Sequence, residues 1–313
     1  MFKLSIIVPC YNEGENIPSL YDKINTVCAP YDWELLLVDD GSTDGTRGAV
    51  EKLRAQNPRV HVISFVKNYG HQAALRAGLR AAQGDYIVSM DADLQHPPEA
   101  IPAMIEKARE GFSIINMVHD DKQPGFLKDF YSRAFYRVFS IATGVRFDYR
   151  ASDFRLIDRK VQQVINMLPE RGLFLRALLL HLGFPLTTLK YHLQPRFRGR
   201  PAYTFGKSLA LAINALFSFS TFPIRFLFIS GFVIALLAFC YGLVHVVLRI
   251  FTDQNLPGFT DIVASVLFLG GINLIMLSVI SKYMQVILDQ LKQRPEYLID
   301  PTKSDLLDPA NRR

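Results

Sequence analysis

The chain has 313 residues, half of them hydrophobic and 20% charged, with a net charge of +6. No basic run with interleaved aromatics and no nucleic-acid motif accompanies that charge, which excludes nucleic acid as a partner and leaves phosphates and anionic lipid headgroups. Cys10, Cys28 and Cys240 have neither metal spacing nor a disulfide framework, so a reduced compartment is expected, and no signal-peptide pattern precedes the first strand.

Leu4–Val8 is a short apolar run of the kind buried in a parallel sheet. A helix is expected over Asn16–Cys28, a strand over Glu34–Val38 and a helix over Thr46–Gln56. A third strand over Val60–Phe65, a helix over His71–Ala82 stopped by Gly84, and a fourth strand over Tyr86–Met90 follow. Strands alternating with helices predict an α/β fold with a mostly parallel, doubly wound sheet, whose ligands bind beyond the carboxyl ends of its strands. After Pro98 the pattern is more helical, with a strand near Ser113–Val118 and helices over 127–143 and 158–168.

The last third is of a different kind. Leu209–Phe222 is apolar between Lys207 and Arg225 and is broken by Pro223, which suits a helix lying in a membrane interface. Phe226–Val247 has no Asp, Glu, Lys or Arg, nor has Ile262–Ile280, and each is long enough to cross a bilayer core of about 30 Å. The segment between them carries Asp253 and Asp261, whereas Arg225, Lys282, Lys292 and Arg294 flank the outer ends. The positive-inside rule then puts both termini in the cytoplasm, with Arg249 a mild exception. The expected organisation is a cytoplasmic catalytic domain over 1–205, an interfacial helix over 206–225, a two-helix membrane region over 226–284 and a cytoplasmic tail over 285–313.

Three polar clusters sit at strand ends and can converge on one crevice: Pro9-Cys10-Tyr11-Asn12-Glu13, Val38-Asp39-Asp40-Gly41-Ser42 and Asp91-Ala92-Asp93-Leu94-Gln95-His96. Two carboxylates separated by one small residue can hold a hard divalent cation that shares the rest of its shell with substrate phosphates. D-x-D alone is a weak signal, because it also serves as a solvated strand-end cap. His71, His96 and His119 match no zinc spacing and are expected to pack or hydrogen-bond.

Taken together, these clusters resemble glycosyltransferase family 2, with its GT-A nucleotide-sugar-binding fold. The resemblance runs on through Asn68-Tyr69-Gly70-His71-Gln72-Ala73-Ala74, Ser152-Asp153-Phe154-Arg155-Leu156, Phe219-Ser220-Thr221-Phe222-Pro223 and Arg294-Pro295-Glu296-Tyr297. It is strongest toward the polyprenyl-phosphate glycosyltransferases, among them bactoprenol glucosyltransferases, aminoarabinose-phosphate transferases and dolichol-phosphate mannose synthases. The resemblance implies that Pro9, Tyr11, Glu13, Val38 and Asp40 surround the nucleoside, with an N-cap role as the alternative for Asp40. It implies that Asp91, Ala92, Asp93 and Gln95 face the diphosphate, with Asp91, Asp93 and Gln95 toward Mg²⁺ or Mn²⁺. Asp93 and Asp153 stand at the reacting centre, although a bond to a neighbouring loop is the alternative for Asp153. Lys128, Ser132, Arg133, Arg196 and Arg198 are the candidates for phosphate or lipid-phosphate contacts, each with a solvated surface charge as its alternative.

The implied reaction moves a monosaccharide, with UDP-glucose the favoured donor, onto undecaprenyl or another polyprenyl phosphate with inversion, at the cytoplasmic membrane by a homo-oligomer. An attacking phosphate is already ionised near neutral pH, so Asp153 is expected to orient before it acts as a base. Three segments depart from the family pattern. His119 precedes two acids where an Arg-containing segment is usual, Ala202 replaces a Lys in Gly199-Arg200-Pro201-Ala202-Tyr203, and Ser281-Lys282-Tyr283 replaces Gly-Glu-Tyr. Missing cations keep two alternatives open: a different sugar such as aminoarabinose or mannose, or a membrane scaffold with weak or lost catalysis.

Overall fold

The computed structural model describes residues 2–119, 151–168, 175–192, 222–252, 258–292 and 294–305. The expected helix over 127–143, residues 206–221 of the expected interfacial helix, and Lys128, Ser132, Arg133, Arg196, Arg198 and Ala202 lie outside the described residues. The chain forms two compact units, one comprising the described residues up to 192 together with 294–305, the other built on the two apolar helices.

The first unit alternates as its sequence pattern requires: β1 (Lys3–Cys10), α1 (Ile17–Cys28), β2 (Asp32–Asp39), α2 (Thr46–Gln56), β3 (Val60–Ser64), α3 (His71–Ala81) and β4 (Tyr86–Ser89). After a single 3₁₀ turn come α4 (Ile101–Arg109), β5 (Ile114–His119), β6 (Ala151–Asp158), α5 (Arg159–Met167), α6 (Leu175–His181) and β7 (Leu186–Tyr191). The seven described strands lie in the order β3-β2-β1-β4-β6-β5-β7. All neighbours are parallel except β6, which runs antiparallel to both β4 and β5. The sheet is therefore mostly parallel, as the alternation predicts.

Buried strands explain the near-continuous apolar runs, since both faces are covered. Leu4, Ile6, Val8, Leu35 and Leu37 point into a core with Ile17, Leu20, Ile24, Ile101 and Met104. Ile7, Leu36 and Val38 point to the other face, against Ala74, Ala77, Leu175 and Leu179. Gly78 lets α3 approach the sheet closely, because a Cβ there would fall 2.3 Å from Ile7 Cγ2.

Residues 294–305 close the open edge of β3. Ile299 bridges Phe65 in antiparallel sense. The Val66 N–H donates to the Leu298 carbonyl at 3.1 Å and the Asp300 N–H to the Ser64 carbonyl at 2.8 Å. On β3, the N–H of Val62 donates to Asp305 Oδ1 at 2.6 Å and that of Ser64 to Ser304 Oγ at 2.8 Å. Tyr297 is buried, stacked on Phe65 with ring centroids 4.8 Å apart, and the Arg80 guanidinium donates to its hydroxyl at 3.2 Å. Edge strands left open are templates for wrong pairing, and this strap removes one.

The second unit holds α7 (Phe222–Thr252) and α8 (Phe259–Leu291). Helix α7 starts at Phe222, so Pro223 lies in a first turn, where its missing N–H costs nothing, and residues 222–225 belong to this helix. Helix α8 continues beyond residue 284 to Leu291. Both are long and apolar enough to cross a membrane: Phe226–Val244 has a mean hydropathy of 2.5 and Phe268–Asp289 of 1.5. Their described apolar side chains, such as Phe228, Phe232, Phe239 and Phe268, are exposed, which sets them apart from core helices of a water-soluble domain. Gly231 brings α7 close to α8, where a Cβ would stand 3.1 Å from Met276 Cε, whereas Gly242, Gly270 and Gly271 face open space.

Replacing Tyr297 by Ala removes a fully buried ring and is expected to destabilise the first unit by about 3 kcal/mol. The solvent-exposed side chain of Leu298 is expected to change stability by less than about 0.5 kcal/mol when cut to Ala. Thermal unfolding followed by the fluorescence of Trp33, the single tryptophan and a buried residue of this unit, checks both.

Candidate active site

Parallel β1, β2 and β4 end on one edge of the sheet, and antiparallel β6 begins there. Ser89 pairs with Arg155, so the residues that follow β4 meet those that start β6. That register brings Asp91 and Asp93 beside Asp153.

The nucleoside candidates form the neighbouring wall. Pro9 pairs with Val38 in the sheet, and both are buried. Tyr11 stands exposed at the end of β1. Asn12, at φ 57°, donates its N–H to Ser42 Oγ at 3.0 Å, and its Oδ1 accepts the Thr43 N–H at 2.9 Å, which laces the loops after β1 and β2 together. The Glu13 N–H donates to Thr46 Oγ1 at 2.8 Å, and its carbonyl accepts the N–H groups of Asn16 and Ile17 at the start of α1. Asp39 Oδ1 accepts the Ser42 N–H at 2.9 Å.

Asp40 is not an N-cap, since Gly45 and Gly70 hold those positions on α2 and α3. It is buried, and its two oxygens accept the N–H groups of Tyr69 at 2.6 Å and Gly70 at 2.9 Å. Burial pushes this carboxyl up, against the two backbone donors that pull it down. Gly70, at φ 98°, makes the turn into α3, so Asp40 fixes where that helix starts.

The Asp91–His96 turn is tight. Leu94 takes a left-handed conformation, φ 63°, and the Gln95 N–H donates to Asp93 Oδ1 at 3.1 Å. The Asp91 N–H donates to His96 Nδ1 at 3.0 Å, which leaves the His96 proton on Nε2. His96 is buried against Phe154, with ring centroids 5.1 Å apart, and burial pulls its pKa down despite the nearby carboxylates. Asp93 and Ala92 are buried, whereas the Asp91 side chain is 38% exposed at the lip.

Asp153 is the most heavily bound group. Arg155 Nη2 donates to its Oδ1 at 2.7 Å; Arg176, on α6, reaches Oδ1 through Nε at 3.1 Å and Oδ2 through Nη2 at 2.8 Å. His71 Nε2 lies 3.5 Å from Asp153 Oδ2 and 3.6 Å from Asp91 Oδ1. Burial pushes the Asp153 carboxyl up, but the Arg176 charge, the His71 hydrogen bond and the Arg155 charge together hold it well below the usual carboxylate range. Burial draws the Arg155 guanidinium down to about 10, still charged at neutral pH. For His71, burial is outweighed by Asp153 and Asp91, and its pKa is raised.

His71, His96, Arg155 and Arg176 thus join the site; the sequence led only to packing or hydrogen bonding for the histidines, and gave neither arginine a role. Arg155 was within reach, since residues two apart on a strand share a face and Asp153-Phe154-Arg155 places acid and base together. Arg176 comes from a helix whose docking no local pattern reports. His119 ends β5, paired with Tyr191 of β7.

A family model described as glycosyl transferase family 2 matches residues 5–179, more than half of the chain. The chain belongs to this family. It is a glycosyltransferase with the GT-A fold that its motifs imply. A bactoprenol glucosyl transferase of Shigella phage SfV is 34% identical over 304 residues, covering 96% of this chain and 99% of its own. An uncharacterized glycosyltransferase of Bacillus subtilis is 36% identical over 298 residues, 94% of this chain and 92% of its own. Among solved structures, glucosyl-3-phosphoglycerate synthase from Mycobacterium tuberculosis in complex with UDP shares the fold, with a TM-score of 0.52 at 21% identity over 69% of this chain and 79% of that one.

The raised His71 pKa has a consequence for the metal-free protein. A folded-state value above the unfolded one, about 6.5, adds stability that is full below pH 6.5 and is lost as pH rises through the folded value. The wild-type melting temperature minus that of His71→Gln is expected to shrink as pH rises from 6 through this window, measured by Trp33 fluorescence with a chelator present.

Proposed function

We propose that this enzyme transfers a monosaccharide from a nucleotide sugar, UDP-glucose by preference, to a polyprenyl phosphate at the cytoplasmic face of a membrane. One observation carries the reading: Asp91 and Asp93 share an edge with an Asp153 already taken up by Arg155, Arg176 and His71. Such a site suits phosphates, and its Asp153 carboxylate is engaged by cations rather than poised to abstract a proton. The apolar helices α7 and α8, and relatives named for bactoprenol, support a lipid acceptor held at the membrane.

The residues present fit a hard divalent cation. Among the described residues no group of three or more ligating side chains closes on itself, so the shell of an ion on Asp91 and Asp93 would be completed by substrate phosphates, the habit of Mg²⁺ and Mn²⁺. When bound, the ion neutralises charge on the departing nucleotide diphosphate. The chain supplies the rest. Tyr11, Glu13 and the laced loops around Asn12 wall the nucleoside, and Asp40 holds the Tyr69–Gly70 turn beside it.

A phosphate monoester has its second pKa near 6, so the acceptor arrives as a nucleophile without help. Its oxygen forms the new bond to the anomeric carbon as the bond from that carbon to the diphosphate oxygen breaks, with inversion. Rate enhancement then rests on alignment and on fixed charge. Asp153 orients the cations about it. Arg225, Lys282, Lys292 and Arg294 flank the helix pair and, by the positive-inside rule, support a cytoplasmic side for both of its ends. The outward apolar side chains of α7 and α8 are covered by lipid or by further copies of the chain.

The test is the protein in detergent with a short polyprenyl phosphate, Mn²⁺ or Mg²⁺ and a panel of UDP- and GDP-sugars, read by mass spectrometry. A metal-dependent glycosylated lipid phosphate is expected, highest with UDP-glucose and lowered at least about 100-fold by Asp93→Ala. Tight donor binding with no product from any sugar would favour a scaffold instead. A product from another donor would correct the sugar and leave the chemistry standing.

Asp153→Asn removes the carboxylate charge that pairs with buried Arg155 and is expected to cost about 3 kcal/mol of stability along with activity. Because the Asp153 carboxyl is held well below its usual range, turnover is expected to show no ionisation limb from it between pH 5 and 8. A pH–rate profile of the wild type checks this, with denaturant unfolding of the variant alongside.

A further inference from the structure

Asp91 follows β4 and Asp153 lies on β6, and one side chain reaches both. His71 Nε2 stands 3.6 Å from Asp91 Oδ1 and 3.5 Å from Asp153 Oδ2, at the first position of α3. The place is built by the backbone. Asp40 holds the N–H groups of Tyr69 and Gly70, the Gly70 carbonyl accepts the N–H groups of Ala73 and Ala74, and α3 is pressed onto the sheet at Gly78.

His96 flanks the same carboxylate and cannot do the same work. Its Nδ1 accepts the Asp91 N–H, so it shows a lone pair, and no proton, to Asp91 Oδ2 at 3.6 Å. His71 is the imidazole that can donate.

We propose that His71 is a positioning residue for the metal carboxylate, its Nε2–H holding Asp91 in the orientation that receives the divalent cation and tying it to Asp153. The proposal rests on the reading of Asp91 and Asp93 as metal carboxylates. A hydrogen-bond donor behind a ligating carboxylate fixes its direction, and losing such a partner typically costs 10- to 100-fold in metal affinity or activity. The length of the two contacts suits a group that tightens as the ion and the diphosphate arrive.

The experiment titrates Mn²⁺ into the full chain in detergent with UDP present, reading free Mn²⁺ by electron paramagnetic resonance and requiring no turnover. Trp33 melting confirms that each variant is folded. His71→Ala is expected to weaken Mn²⁺ binding about 10- to 100-fold and to shift the Mn²⁺ requirement for turnover equally, with the KM for polyprenyl phosphate unmoved. His71→Leu, of similar bulk but without a proton to give, is expected to repeat the loss. His71→Gln, whose amide N–H can stand where Nε2–H does, is expected to stay close to wild type. If Ala fails to fold, the contrast between Leu and Gln decides. Wild-type Mn²⁺ affinity in the Ala or Leu variant, or a Gln variant as weak as Leu, overturns the proposal. Asp93→Ala separates the two levels: if it still binds Mn²⁺ as wild type does, the metal reading itself falls and this proposal with it.

Discussion

Asp153 and Arg155 face one another inside the protein at 2.7 Å, and the working edge of the sheet is assembled around that ion pair. Two buried charges are tolerable only when each satisfies the other and the remaining donors and lone pairs find partners. Here Arg176 adds a forked contact from α6, His71 stands on the remaining side of Asp153, and Arg155 Nη2 also donates to the Ser152 carbonyl at 3.0 Å, while its Nη1 meets no partner among the described residues. With Asp91 and Asp93 next to it, the edge would otherwise concentrate negative charge where, on the proposed reading, an anionic diphosphate binds. The cations around Asp153 offset that before any ion arrives, so charge compensation and fold stability depend on the same residues.

The reversed strand makes this possible. A parallel strand between β4 and β5 would present its start at the far edge of the sheet. Antiparallel β6 delivers its first residues to the edge where β1, β2 and β4 end, and Asp153 meets the Asp91–His96 turn through the register Ser89 to Arg155. The turn is itself held from below, by His96 on the Asp91 N–H and Phe154 on the His96 ring. Loops at this edge are thus fixed to one another by side chains that substrate need not touch, which is how a site on loops attains the precision of one on strands.

Most of the fold was legible because β1 to β4 are buried on both faces and announce themselves as short apolar runs between helices. Strand β6 was not. Ser152-Asp153-Phe154-Arg155 alternates polar and apolar, but its polar residues are buried in a charge cluster, and the alternation invites a reading as loop. Strand β7 is half exposed at an edge and α6 is only seven residues long, so neither pattern rises above its surroundings. In the site, D-x-D and the strand-end clusters were readable from chemistry at fixed spacing. Asp40 was only partly legible, because a carboxylate at a strand end suits a ribose and also suits two backbone N–H groups 29 and 30 residues away. Only the path of the chain reveals that second role. The partners of His71 were hidden for the same reason, since nothing nearby in sequence says that α3 points its first residue at two acids.

The strap over β3 gives the chain a particular order of synthesis. The first unit is discontinuous: its sheet is made early, the two apolar helices follow, and residues 294–305, which cover its edge, leave the ribosome after them. Until then β3 carries unpaired N–H groups and Phe65 lacks the ring that stacks on it. A polypeptide interrupted anywhere in the apolar helices therefore displays an open strand edge, a feature that chaperones and proteases can read. The closing segment can be added only after translation has passed the apolar helices, so the sheet of a nascent enzyme is sealed last.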